Sequence, residues 1–150
     1  MLLGACGPER EKGKEDVAEP SPLTPAEEQV PVGLADEALA EWLLDRGRDA
    51  EALPVLERVV AQRREAGEAE MGRQRLGVAL MGLGMVRDAL GESEQGLADL
   101  AEAWEIFQES GVSPDLQGAC ADALGLACQG AGYFGDAERA FHAAIELQIG

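Results

Sequence analysis

Few side chains in this 150-residue sequence could do chemistry, and none of them falls into a working arrangement. His142 is the only histidine; it follows Phe141 in the last apolar stretch and reads as a helix-surface residue, with no nucleophile spaced to use it as a base. The cysteines are Cys6, Cys120 and Cys128, an odd count that gives no complete disulfide framework. Cys120 and Cys128 stand eight positions apart, which on one helix is about 12 Å of rise and too far to bridge. They share a helical face among Ala, Leu and Asp, with no base nearby to lower a thiol pKa, so they read as small buried apolar residues. One histidine and no close cysteine pair exclude the usual zinc sites. Acidic neighbours such as Glu92 with Glu94, or Asp36 with Glu37, lie near expected helix starts, where acids are favoured electrostatically. Gly82-Leu83-Gly84 falls inside a helical pattern, so its backbone donors are already used and cannot cradle a phosphate. The expectation is a protein that is not an enzyme and that takes no cofactor, metal or small-molecule substrate.

The elements that carry these residues follow from composition. Hydrophobic residues make up 46% but aromatics only 4%, and Ala, Leu and Gly dominate. That balance favours helices packed closely through small residues over a sheet. There are 29 acidic residues against 12 basic ones, a formal charge of −17. Such a chain repels nucleic acid and anionic lipid headgroups, and any long-range steering favours basic partners. No stretch approaches the roughly twenty apolar residues of a membrane span.

A phrase occurs three times, opening at Gly47, Gly91 and Gly132. Five positions on stands a small residue, Ala52, Gly96 or Ala137, and four beyond that a large one, Leu56, Leu100 or Phe141. A small or branched residue follows three later, Val59, Ala103 or Ala144. Self-similarity at roughly forty residues points to stacked repeats. Around each phrase the period is helical. One helix holds Leu34, Ala38, Leu39, Trp42 and Leu43 and ends at Gly47. The next is capped by Asp49 and runs to about residue 65, with Pro54 bending it slightly near its start. A third spans about 68–90, a fourth about 93–109 with Leu97, Leu100, Trp104 and Phe107 in register. Ser113-Pro114-Asp115 announces a fifth, to about 130, and a sixth covers about 135–148. Upstream, Thr24-Pro25-Ala26-Glu27 has the form of a capping box, with Pro31 limiting it to one or two turns.

This pairing resembles the tetratricopeptide repeat (TPR) family. Twelve positions before Ala52, Gly96 and Ala137 stand Ala40, Gly84 and Gly125, each preceded by leucine (Leu39, Leu83, Leu124), which matches the family's large-then-small pair. Close crossing of two helices requires contact residues without bulk, so Gly84 and Gly125 should each meet the small position of the partner helix. The spacings of 44 and 41 residues exceed the usual ~34 and resemble the kinesin-light-chain-like subgroup with lengthened helices. The resemblance implies an all-α fold: three helix hairpins over 33–150, stacked as a short right-handed α-solenoid. It also implies a concave face that binds peptide. Transferred by position, Glu37, Glu41 and Asp45 of repeat one, Met81, Met85 and Asp88 of repeat two, and Asp122 and Gln129 of repeat three would line it. That surface is acidic and apolar and suits a basic and apolar protein segment, with the methionines adapting to varied side chains.

The N-terminal 1–32 reads differently. Leu3-Gly4-Ala5-Cys6 resembles a bacterial lipobox, in which the cysteine is lipidated, although the charged and long apolar regions of a signal peptide are missing ahead of it. Residues 8 to 31 contain Pro8, Pro20, Pro22, Pro25 and Pro31 and read as a disordered polar tether. The resemblance implies a domain anchored to a bacterial envelope membrane through Cys6. The alternative is a cytoplasmic regulatory or oligomerising fragment of a longer repeat array. Apolar residues of the last helix, Phe141, Ile145, Leu147 and Ile149, would then serve self-association.

Overall fold

The three repeated glycines each occupy the same turn. Gly47, Gly91 and Gly132 have φ of 68°, 89° and 90°, the left-handed region that only glycine enters without strain. The residue after each donates its N–H back across the turn: Arg48 to the Leu43 carbonyl at 2.9 Å, Glu92 to Arg87 at 2.7 Å, Tyr133 to Cys128 at 2.8 Å. The glycines themselves donate to Leu44, Asp88 and Gln129 at 3.0, 3.0 and 3.1 Å. This is one Schellman closure made three times, and it joins the two helices of each hairpin.

The structure, a computed structural model, describes residues 22–67 and 69–149. Cys6, the Leu3-Gly4-Ala5-Cys6 motif, the first part of the Pro-rich stretch, and Glu68 as a helix start lie outside the described residues. The chain falls into two units, one ending at Val30 and one starting at Pro31. In the described part of the first, Glu27 N–H donates to the Thr24 carbonyl and Thr24 N–H donates to the Glu27 carboxylate, each at 2.9 Å. That is a single turn with one half of the expected capping box.

The second unit is all-helical: α1 Asp36–Asp45, α2 Asp49–Glu65, α3 Glu70–Ala89, α4 Ser93–Ser110, α5 Pro114–Gly130 and α6 Phe134–Ile149. Each packs on its neighbour in sequence, and α3 also packs on α5, whereas α1 does not reach α3. Three hairpins (α1–α2, α3–α4, α5–α6) thus follow one another. Gly67 at φ 99° and Gly111 at φ 63° turn the chain between hairpins. Ser113 caps α5 by accepting from Leu116 N–H at 3.3 Å, with Pro114 at the first position. Asp49 does not cap α2: it lies within the first turn, and the N-cap is Arg48 without a side-chain bond. There its charge still favours the helix N-terminus. The third helix is described from Glu70.

Small residues let the helices close. A Cβ added to Gly84 would lie 2.6 Å from Leu100 Cγ and 2.8 Å from the Gly96 carbonyl oxygen, so Gly84 meets the small position of α4 as expected. A Cβ added to Gly125 would lie 2.5 Å from the Phe141 ring. Phe141 stands where the second hairpin has Leu100, so in both hairpins the glycine lies against the large residue of the partner helix. Leu80, Leu100, Phe107 and Cys120 are the largest fully buried side chains, and no buried side-chain nitrogen or oxygen among the described residues lacks a partner.

Arginines tie the first two hairpins together. Asp36 of α1 accepts from Arg58 at 3.1 Å and Gln62 at 2.9 Å of α2, and Glu37 pairs with Arg63. Arg64 grips Glu102 of α4 with both nitrogens at 2.7 Å; Arg87 of α3 bridges Glu57 at 3.1 Å and Asp99 at 2.6 Å. The Arg58 and Gln62 bonds hold Asp36 below the usual carboxylate range, as Arg64 does Glu102 and Arg48 does Glu51. Burial, outweighing the Arg87 bond, raises Asp99. The lowered groups contribute stability that is present above their unfolded pKa and lost as pH falls through their folded values; Asp99 has the opposite sign and stabilises the fold as pH falls. With Glu27 lowered as well by its bonds to Thr24, the lowered carboxylates outnumber Asp99, and the melting temperature should decline as pH is taken from about 5 to about 3. Half-molar salt should flatten the decline, since most of these pairs are exposed. A melting temperature level or rising through that window would place the paired carboxylates wrongly.

Candidate functional site

A concavity arises where α1 and α3 stand apart over α2. It is a cleft of about 480 Å³. Ala40 and Leu44 of α1 form one wall; Met71, Val78, Ala79 and Met81 of α3 form the other; Leu56 and Val59 of α2 make the floor. Val112 and Leu116, from the start of the third hairpin, close one side. Backbone explains the gap. Gly33 sits at φ 88°, outside the helical region, so α1 cannot extend back through it. It has 10 residues against 20 in α3. The first half of α3 therefore keeps an uncovered flank, on which Met71 is 64% and Val78 47% exposed.

The polar groups of the cleft are Glu37, Glu41, Gln74 and Arg75. Glu37 is already paired with Arg63, and Gln74 donates to the Ser110 carbonyl at 3.3 Å. Glu41 and Arg75 make no ion pair or side-chain hydrogen bond among the described residues. A mostly apolar trench with few polar groups on its rim can desolvate an apolar surface and orient it by charge.

Of the residues expected on a binding face, the structure brings Glu37, Glu41 and Met81 into this cleft. Asp45 is exposed at the end of α1, and Met85 is exposed on α3 beyond the cleft. Asp88 accepts from Ser93 Oγ at 2.7 Å and so braces the α3–α4 corner. Asp122 is half-buried on α5. Gln129 lines a separate hollow of about 320 Å³ against α6, together with His142. The face therefore does not run evenly along all three hairpins. Met71, Arg75, Val112 and Leu116 were not among the expected residues. Their signal is present in the sequence: Met71, Arg75, Val78 and Gly82 recur at helical spacing, a second stripe on α3 beside the core stripe of Leu76, Leu80 and Leu83.

The remaining reactive types are buried or dispersed. Cys120 donates its thiol to the Leu100 carbonyl at 3.8 Å, and burial pushes its pKa up to about 12. Burial, with the nearby Asp136 charge, raises Cys128 as well. Neither is poised as a nucleophile. No group of three His, Cys, Asp or Glu able to hold a metal occurs among the described residues, and no described helix is long and apolar enough to cross a membrane. Compared with protein families, with curated proteins and with solved structures, the chain finds no match.

Proposed function

We propose that this protein is a TPR-like interaction module that holds a segment of a protein partner in the cleft between α1 and α3. The observation that carries it is the cleft itself, an apolar trench of about 480 Å³ with exposed Val78 and Met71 on one wall. Solvent-exposed apolar surface of this kind costs solubility unless something covers it. Binding through apolar contact, oriented by a few charges, needs no catalytic group. The test is selection from a displayed peptide library, followed by competition. Enriched peptides should carry apolar residues. Val78→Glu, which puts a charge in the trench, should weaken them by about tenfold or more, while Ile145→Glu on α6 should leave them unchanged. Peptides indifferent to Val78→Glu would sink the reading.

Attachment to a bacterial envelope membrane through Cys6 is a separable part of the proposal, supported by Leu3-Gly4-Ala5-Cys6 alone. Intact mass of the mature protein expressed from its native locus should show a chain that begins at an acylated Cys6. A mass that includes Met1 and an unmodified thiol would end it.

A further inference from the structure

We infer that the occupant of the cleft is an amphipathic helix of about three turns, supplied by a partner, which lies between α1 and the flank of α3 that the short α1 leaves bare. The inference rests on the function proposed above and specifies its ligand. Measured from the glycine that closes each hairpin, α1 starts eleven residues back, α5 eighteen and α3 twenty-one. Relative to α3, the first hairpin is therefore short by ten helical residues, about 15 Å of rod. The residue of α3 that corresponds to the first residue of α1 is Leu80. Met71, Arg75 and Val78 all precede it, so the bare flank of α3 is the flank that a longer α1 would face. On its other flank α3 is packed by α5, a helix of 17 residues. A helix laid over Val59 of α2, between Leu44 and Val78, would give α3 a neighbour on both sides. A trench with helical walls and a helical floor takes the ridge of an apolar helix stripe between the ridges of its walls.

Charge adds the flanks. Every other arginine described has a partner. Arg58, Arg63, Arg64, Arg73, Arg87 and Arg139 pair with carboxylates, as does Arg48, and Arg46 lies over the Trp42 ring at 4.1 Å. Arg75 alone has none, in a chain with 29 acids. It sits on the α3 wall, and Glu41, equally unpaired, sits on the α1 wall. A helix with an acid on the side that meets Arg75 and a base on the side that meets Glu41 fits in one orientation only. Between Pro8 and Pro20 the only apolar side chains are Val17 and Ala18, too few for an apolar helix stripe. A second copy, at −17, would approach against its own charge.

The test takes the enriched peptides of the display selection and measures their affinity for the full chain by fluorescence anisotropy. They should show apolar residues at helical spacing, with an acid beside the stripe, and gain helical circular dichroism when bound. A proline placed mid-peptide should abolish binding. Arg75→Glu should cost about three- to tenfold for these peptides and regain it when the peptide acid is changed to lysine. Peptides that depend on Val78 but tolerate the proline would overturn the helix while leaving the proposed function standing. Indifference to Arg75→Glu would overturn the assigned orientation. Binding of laurate but of no peptide would overturn both.

Discussion

Gly84→Ala should destabilise the fold, although alanine is the better helix former. In an exposed helix interior the change would gain about 1 kcal/mol. Here the new Cβ would lie 2.6 Å from Leu100 Cγ and 2.8 Å from the Gly96 carbonyl oxygen. The second of these is backbone of α4, so the conflict is relieved only by moving one helix off the other. Overpacking of that kind costs about 1–3 kcal/mol net, which for a domain of this size lowers the melting temperature by roughly 5 °C or more. Gly96→Ala should act alike from the other side, since its Cβ would meet the Gly84 carbonyl oxygen at 2.6 Å and Asp88 N at 3.1 Å. The two changes together should cost less than their sum, because one separation of the helices relieves both. Gly135→Ala provides the contrast: it is helical, has open space around it, and should raise stability by up to about 1 kcal/mol. Urea unfolding of the four variants decides it. Gly84→Ala as stable as the parent would mean that α3 and α4 do not approach through these glycines.

That close approach was legible in the sequence because it is local. The repeated glycine needs a left-handed turn wherever it stands, and the small residue five positions on fixes which side of the second helix faces the first. Both follow from a short stretch of chain; the structure repeats the turn at Gly47, Gly91 and Gly132 and brings the small position Gly96 against Gly84. The large residue of the repeated phrase was legible by its place as well: Leu100 lies against Gly84 as Phe141 lies against Gly125. Least legible was the cleft. Transfer of concave positions assumes that the first helix of every hairpin has the same length. Gly33 keeps α1 half as long as α3, so Arg75 and Met71, outside the transferred positions, line the trench. Asp88 fell on an expected binding position too, but a serine five residues on claims its carboxylate. Side-chain partners across a turn depend on rotamers that periodicity does not encode.

Phe107→Ala should be the most damaging single change. The ring is fully buried, the largest of the enclosed side chains, ahead of Leu80, Leu100 and Cys120. Loss of a buried aromatic costs about 3–5 kcal/mol, a large part of the 5–15 kcal/mol that holds a typical domain. The ring also rests on Gly77: a Cβ there would lie 2.6 Å from its Cε1 and 3.1 Å from its Cδ1. Gly77→Ala alone should therefore destabilise, by about 1–3 kcal/mol. With Phe107 already replaced by alanine, the same change enters the vacated space. It then keeps its helix-forming advantage, so it should stabilise by several tenths to about 1 kcal/mol. The recovery stays partial, because Ile106 Cγ2 would remain 3.1 Å from the new atom. A general weakening of α3 predicts the same loss in both backgrounds; direct contact predicts a reversal of sign. Measured by urea unfolding of the four chains of this cycle, additive losses would show that Phe107 and Gly77 do not share the space assigned to them.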